Sequence, residues 1–125
     1  MENKFYYKDG TTSSKYDSSK EVHRTDGPAV EYADGTKAWY IDGKQHRIDG
    51  PAAEYSDGRK CWFTCGRLHR VDGPAVEYTD GDKSWYIDDE RYTKEEFNKL
   101  IKEVKQLPLA LRLIDPREWV RNYGK

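Results

Sequence analysis

The sequence contains no long hydrophobic run and has little net charge, and each absence excludes a class of protein. Without about 18 consecutive apolar residues, a transmembrane helix is not expected. The opening residues Met-Glu-Asn-Lys-Phe do not resemble a secretory signal peptide. The formal net charge is −1, so no global field attracts extended nucleic acid or an anionic membrane. These features predict a cytoplasmic protein.

Cysteine is also scarce, since the chain has only Cys61 and Cys65. If that stretch is extended, four residues span about 13 Å. A disulfide requires Cα atoms within about 7 Å, and two cysteines alone cannot complete a closed zinc site. We therefore expect two free thiols in a reducing compartment, with no metal and no cofactor.

Hydrophobic residues make up 35% of the chain and charged residues 36%, a balance that by itself favours disorder. Aromatic residues, at 14%, favour a folded chain. Each large ring can bury roughly 150–250 Å² of surface. Rows of rings can therefore replace an aliphatic core.

An internal repeat dominates the sequence. The unit His-Arg-x-Asp-Gly-Pro-Ala-x-Glu-Tyr-x-Asp-Gly-x-Lys-x-Trp begins at His23, His46 and His69, and 12 of its 23 positions are identical in all three copies. Such a period is typical of stacked repeats. We expect a degenerate half-unit at 1–22 that includes a mobile loop at 11–20, three units within 23–92 (23–45, 46–68 and 69–91), and a helical C-terminal cap at 93–125.

Each unit predicts a β-hairpin, because Asp34-Gly35 between two short runs is typical of a two-residue type I′ turn. This turn sets Tyr32 opposite Lys37 and Val30 opposite Trp39. One face would then carry Trp39 with Val30, Tyr32, Lys37 and Ile41, and the other Tyr40 with Ala29, Glu31 and Ala38. The tryptophan face holds the larger apolar area, so we expect it to be buried.

The predicted fold is mainly β with an α appendage: a single-layer antiparallel meander of stacked hairpin repeats, capped by C-terminal helices. Whether the His46-Arg47 segment adds a further strand stays open. The residues expected to have structural roles are Trp39, Trp62, Trp85, Gly35, Gly58, Gly81, Pro28, Pro51 and Pro74.

The C-terminal segment has helical periodicity. Thr93 and Glu96 form a capping-box pattern, and an apolar stripe follows at Phe97, Leu100, Ile101, Val104 and Leu107. Asp115 predicts a second helix start, with Pro116 after it and Gly124 at its end. Residues 93–125 carry a net charge of +3, which leaves −4 for residues 1–92. The segment is expected to cover an end or a face of the sheet, or to serve as a partner surface.

The unit resembles the MORN repeat, a β-hairpin repeat of similar length. The likeness covers Lys20 to about Arg91 and rests on Tyr32-Ala33-Asp34-Gly35, on Trp39-Tyr40-Ile41-Asp42-Gly43-Lys44, and on their counterparts. Asp26-Gly27-Pro28 stands where MORN repeats usually carry Gly-x-Gly, and Asp89 stands where Gly43 and Gly66 do. The resemblance implies an elongated sheet that binds proteins, sometimes at membranes, without catalytic residues. The His-Arg-x-Asp-Gly-Pro-Ala variant looks like short bacterial and bacteriophage proteins.

The regular spacing argues against catalysis and metal binding. Equivalent residues in successive hairpins lie about 9.5–10 Å apart, too far for His23, His46 and His69 to share a zinc ion. The repeated glutamates lie beyond the carboxyl separation of about 5–9.5 Å that glycosidases use. We expect the histidines and arginines to cap loops or pair with Asp26, Asp49 and Asp72. The glutamates are expected to bond lysine or backbone groups.

The predicted function is non-enzymatic binding of another protein, and inhibition of a host factor in the host cytoplasm is one form that this function can take. The sheet face or the helical tail would form the interface. Alternatives are a small phosphorylated or nucleotide ligand held by the arginines, a homo-oligomer, and weak membrane-surface binding through the tail. The candidate binding residues are Arg24, Arg47, Arg70, Glu31, Glu54, Glu77, Tyr40, Phe63 and Tyr86.

Overall fold

A computed structural model of the chain describes residues 2–106. The described residues form short strands and one helix, because turns recur every few positions. In chain order these elements are β1 (Lys4–Tyr6), β2 (Thr12–Ser13), β3 (Val30–Glu31), β4 (Lys37–Ala38), β5 (Tyr40–Ile41), β6 (Lys44–Gln45), β7 (Ala53–Glu54), β8 (Lys60–Cys61), β9 (Phe63–Thr64), β10 (Arg67–Leu68), β11 (Val76–Glu77), β12 (Lys83–Ile87), β13 (Glu90–Tyr92) and α1 (Lys94–Lys105).

Nine of these strands form one antiparallel sheet in the order β13-β12-β11-β8-β7-β4-β3-β1-β2. Hairpins of successive units pair through backbone hydrogen bonds, which join β4 to β7 and β8 to β11. The remaining strands form the separate hairpins β5-β6 and β9-β10. The predicted mainly β fold with hairpins and a C-terminal helix is confirmed. The expected second helix, at 115–124, lies outside the described residues.

The turn at Asp34-Gly35 differs from the prediction. Val30 pairs with Ala38 and Glu31 with Lys37, so the loop has three residues, 33–35, and the predicted two-residue type I′ turn is wrong. Only the glycine adopts a positive φ, at 96°, and the Asp34 carboxylate accepts the Thr36 N–H at 2.9 Å. A three-residue hairpin loop with glycine in the left-handed region is a common alternative. Gly58 and Gly81 repeat the conformation, with φ of 100° and 94°.

The two-residue turn occurs instead at the second Asp-Gly of the unit. Tyr40 pairs with Gln45, so Asp42 and Gly43 form the turn, with φ of 50° and 79°. In the second unit Cys65 and Gly66 take these positions, and in the third Asp88 and Asp89 do. The returning strands are β6 and β10, each of which ends one residue before a histidine. The extra strand therefore lies just before His46, and His46 and Arg47 themselves are outside it.

The change in turn length regroups the predicted faces, because a one-residue shift of β3 against β4 moves Val30 and Tyr32 from the face of Trp39 to the face of Ala38. Val30 and Ala38 are 2% and 4% exposed and lie in one cluster, with Tyr40 packed against it. Trp39 alternates with Ala38 and Tyr40 along the chain, so it lies on the other face, where it is only half-buried. The prediction that the tryptophan face is the buried one is wrong.

The two faces of the sheet carry different side chains. The tyrosine face carries the rings of Tyr32, Tyr55, Tyr78, Tyr40, Phe63 and Tyr86. The loop face carries Trp39, Trp62 and Trp85 with the loops 24–28, 47–51 and 70–74.

The core under the tyrosine face consists mainly of small residues. Phe5, Tyr7 and Val22 join Val30 and Ala38 in one cluster, and Ala53, Cys61 and Val76 form the next. Tyr55, Phe63 and Tyr86 pack against the second cluster. Rings therefore cover a thin row of small side chains, and they supply most of the large apolar surface.

The N-terminal segment is tied to this core. The sequence predicts a mobile loop over 11–20, but the structure places β2 within it. The Tyr7 hydroxyl accepts the Asp17 N–H at 2.8 Å and donates to the Lys15 carbonyl at 3.1 Å. The Tyr6 carbonyl accepts the His23 N–H, as the Trp39 carbonyl accepts that of His46. Tyr6 thus occupies the position that Trp39 holds in the next unit.

Helix α1 confirms the predicted capping box. Thr93 accepts the Glu96 N–H through its hydroxyl, and the Glu96 carboxylate accepts the Thr93 N–H at 2.9 Å. Phe97 and Leu100 are buried against Ile87. Partly buried residues complete this cluster: Trp85, Tyr92, Ile101 and Val104. Because Trp85 and Ile87 are two apart in β12, they share a face, and α1 covers the last hairpin on the loop face.

Candidate functional site

Three equivalent arginine clusters occupy the loop face. In the middle one, Arg47 donates from Nε to Asp49 at 3.1 Å and from Nη1 to the Pro51 carbonyl at 3.0 Å and Glu54 at 3.3 Å. Its guanidinium carbon lies 3.9 Å from the centre of the Trp39 ring. Arg24 and Arg70 make the same bonds one unit away. Arg24 stacks on Tyr6, and Arg70 stacks on Trp62.

This geometry explains the Arg-x-Asp-Gly-Pro motif. The aspartate holds one nitrogen of the guanidinium, and the proline supplies a carbonyl acceptor for another. A Cβ atom on Gly50 would lie 3.0 Å from the Arg47 guanidinium carbon, so a larger residue would displace it. The predicted pairing of arginine with aspartate is confirmed. The glutamates bond arginine, not the lysine or backbone groups that the sequence predicts.

Each repeated histidine caps the two-residue turn of the next hairpin, as predicted. The Nδ1 atom of His46 accepts the Cys65 N–H at 3.0 Å. His23 and His69 accept from Asp42 and Asp88 in the same way. Among residues 2–106, no group of three His, Cys, Asp or Glu side chains is placed to hold a metal ion. Cys61 is buried and Cys65 exposed, and both are free thiols, as the spacing predicts.

Two open grooves separate the loops on the loop face. The larger, of about 920 Å³, lies between the first and second loops and includes Trp39 and Ile41 in its lining. The smaller, of about 580 Å³, lies between the second and third loops and includes Trp62 and Thr64. Ile48 lines both grooves and is 92% exposed. A single exposed aliphatic side chain is common on protein surfaces, but Ile48 lies between two grooves that each contain a tryptophan, and this placement makes it a candidate contact for another molecule.

The tyrosine face carries two further grooves, which share Tyr32 and Tyr40. One continues past Phe5 to Tyr16, and the other passes over Ala38 and Ala53 to Tyr55. Burial raises the pKa of the Tyr40 hydroxyl above its ordinary value, which already lies well above neutral pH. Tyr16, Tyr32 and Tyr78 are 60%, 39% and 41% exposed. The face thus presents uncharged rings over a floor that includes small residues.

The predicted binding residues divide between the two faces. Arg24, Arg47 and Arg70 lie with Glu31, Glu54 and Glu77 on the loop face, whereas Tyr40, Phe63 and Tyr86 lie on the opposite side. Sequence reasoning missed Ile48 and Tyr16. The signal at Ile48 was available, because an isoleucine stands where the first unit has threonine, in a loop between charged residues.

The chain was compared with known proteins in three ways. A scan against protein-family models gave no match, and searches of curated proteins and of solved structures gave none either. The resemblance to the MORN repeat therefore stays a prediction from the motifs quoted above. Within the described part of the chain, no helix has the length and apolar character to cross a membrane.

Proposed function

We propose that this chain is a non-enzymatic protein-binding module that engages its partner through the tyrosine face. The observation that supports this function is the concentration of rings on that face, where Tyr16, Tyr32 and Tyr78 remain partly exposed. Tyrosine is among the residues that contribute most to protein interfaces, because its ring is large and rigid and its hydroxyl still forms hydrogen bonds. The preformed grooves would reduce the cost of ordering the surface on binding.

In this proposal the three units stack as a single-layer sheet, which leaves both faces accessible. The regular pairing of hairpins from successive units supports that arrangement. The resemblance to bacterial and bacteriophage repeat proteins supports a cytoplasmic role, and inhibition of a host factor is the activity that such a binder would have.

A small phosphorylated ligand is the second candidate, because the arginines are regularly spaced. The contacts favour it less than protein binding. The Arg47 guanidinium already bonds two carboxylates and a carbonyl and lies against a ring. A phosphate would have to compete with both carboxylates for the same donors. Membrane-surface binding through residues 93–125 is the third candidate and rests on their net charge of +3.

The test is capture of a partner by the full chain from a bacterial lysate. The immobilised wild type is compared with a Tyr32→Ser, Tyr78→Ser double variant and with Lys99→Ala, a change of an exposed side chain of α1 outside the tyrosine face. We expect one protein to be retained stoichiometrically by the wild type and by Lys99→Ala, and to be lost from the double variant.

Equal retention by all three chains, or no retained protein, would contradict the proposal. Mass spectrometry of the denatured wild type covers the second candidate, since a nucleotide released in stoichiometric amount would favour ligand sequestration. Solution mass of the free chain shows whether the partner is a second copy.

A further inference from the structure

Three equivalent positions recur along the loop face, and within residues 2–106 only one of them is covered by a helix. Each of these positions consists of a tryptophan and the residue two places after it. Successive positions are separated by one 23-residue unit. The last position is closed by α1, whose Phe97 and Leu100 bury Ile87 to 1% exposure. The other two line the open grooves. The three positions are Trp39 with Ile41, Trp62 with Thr64, and Trp85 with Ile87.

The contact at Trp85 shows which kind of element fits this face. Helix α1 is amphipathic, and its apolar stripe faces the strand while its charged side chains face solvent. Thr93 stands where the preceding units have Arg24, Arg47 and Arg70, so the helix follows directly at the place of a fourth loop. The grooves at Trp62 and Trp39 continue the surface that α1 covers.

The outermost charges beside the two grooves are negative. The side chains of Asp26, Asp49 and Asp72 are 82%, 86% and 81% exposed. The arginines that pair with them are turned inward, with 20–25% of each side chain exposed. A molecule that approaches the loops therefore meets carboxylates first. Charge complementarity favours a partner with lysine or arginine beside its apolar side chains.

The spacing of the grooves is close to the length of two turns of an α-helix. Equivalent positions in successive hairpins are separated by about 9.5–10 Å. Two residues seven apart in a helix are about 10.5 Å apart along its axis and lie on nearly the same side. A helix laid across the loops can insert such a pair into the two grooves. The residues between them would then contact Ile48.

We infer that the loop face is a second interaction surface, which binds a basic amphipathic helix of another protein across Ile48 and the grooves at Trp39 and Trp62. This surface is opposite to the tyrosine face. With the proposed function, it would make the chain a two-sided adaptor. The inference does not depend on the tyrosine face, and a different substitution removes each surface.

The test uses the full chain and three designed helical peptides of equal length. The first peptide carries two leucines seven residues apart, flanked by lysines on the same side. The second has the leucines five residues apart, which places them on different sides of the helix. The third replaces the lysines with glutamates. Binding is followed by calorimetry and by tryptophan fluorescence, since Trp39 and Trp62 line the grooves.

We expect only the first peptide to bind, with an affinity that falls as salt screens the carboxylates. Ile48→Ser should weaken it at least about tenfold, because the largest exposed apolar contact is lost. The triple variant Asp26→Asn, Asp49→Asn, Asp72→Asn keeps an acceptor for each arginine and should flatten the salt dependence. Tyr78→Ser, on the opposite face, is the control and should leave the affinity unchanged.

Three results would overturn the inference. The first is failure of the basic peptide to bind, or binding that Ile48→Ser does not weaken. The second is binding that appears only after removal of residues 107–125, since the chain itself would then be the occupant. The third is a dimer in solution that Ile48→Ser converts to a monomer, since a second copy would then be the occupant. Lysate capture that depends on Tyr32 and Tyr78 leaves the proposed function standing in each case.

Discussion

The guanidinium of Arg47 stacks on the ring of Trp39 at 3.9 Å, although the two residues belong to successive 23-residue units. The contact lies where the second unit meets the first. The same arginine bonds Asp49 and Glu54 of its own unit. One side chain therefore fixes its own loop and holds that loop against the preceding hairpin.

Two substitutions of Arg47 should lower the free energy of unfolding by different amounts. Arg47→Lys keeps the charge but loses the planar fork, and should cost about 1–2 kcal/mol. Arg47→Ala should cost about 2–3 kcal/mol, because it also leaves Glu54 without its charged partner. Urea unfolding followed by circular dichroism measures both. Lys99→Ala, at an exposed position of α1, is the control, and a lysine variant as stable as wild type would show that the fork contributes nothing.

Gly50 and Arg47 should be energetically coupled. A Cβ at position 50 would meet the guanidinium at 3.0 Å, and the stacked arginine cannot move without losing its contacts. Gly50→Ala should therefore cost about 1 kcal/mol in the wild type and almost nothing in an Arg47→Ala background. A double-mutant cycle in urea tests the pair. Additive costs would place the strain elsewhere in the loop.

The two thiols should react at very different rates. Cys65 is exposed, whereas Cys61 is buried and its burial raises the pKa of the thiol. A thiol reagent at pH 8 should label Cys65 first and Cys61 only when the sheet opens. Because the folded chain holds the Cys61 proton more tightly than the unfolded chain does, stability should fall as pH rises above the ordinary thiol pKa, and less so in Cys61→Ala. Simultaneous labelling of both thiols would contradict the buried placement.

Helix α1 should depend on its capping box. Thr93→Ala removes the hydroxyl that accepts the Glu96 N–H and should cost about 1 kcal/mol. The backbone N–H of Thr93 lowers the pKa of Glu96, so the carboxylate's contribution is present above the ordinary glutamate pKa and is lost as pH falls through the folded value. Measurement of the free energy of unfolding against pH in wild type and Glu96→Gln tests this. Parallel curves would show that the carboxylate does not contribute to the cap.

The helix and the hairpins were predictable because their signals are local. Thr93 and Glu96 define the helix start without reference to the sheet, and a 23-residue period with paired turn residues defines the hairpins. The turn type was less predictable. Asp34-Gly35 and Asp42-Gly43 are the same dipeptide, yet the first belongs to a three-residue loop and the second to a two-residue turn. Flanking strand pairing decides between them, and it depends on the neighbouring hairpin.

The error at Asp34-Gly35 explains part of the error in the buried face, because a two-residue turn would place Val30 opposite Trp39 and not opposite Ala38. Trp39 has a larger apolar surface than Tyr40, so a prediction from area alone buries the tryptophan. In the structure the guanidinium of Arg47 instead covers one side of the Trp39 ring. The pairing of Arg47 with Asp49 was readable because the two are close in sequence. The charged residues on either side of Ile48 indicate a loop position, but its degree of exposure was not readable, since it depends on how far the loop projects from the sheet.

The hydrogen bonds between neighbouring units join positions that recur with the period of the sequence. His46 and His69 donate to Trp39 and Trp62, and Trp39 and Trp62 donate to Ala52 and Ala75. If residues 46–68 were removed from the chain, Trp39 would therefore lie beneath Arg70. Every backbone donor and acceptor that joins neighbouring units would still have a partner. Unequal recombination within the gene could shorten or extend this protein by whole units, and α1 would close the final hairpin each time.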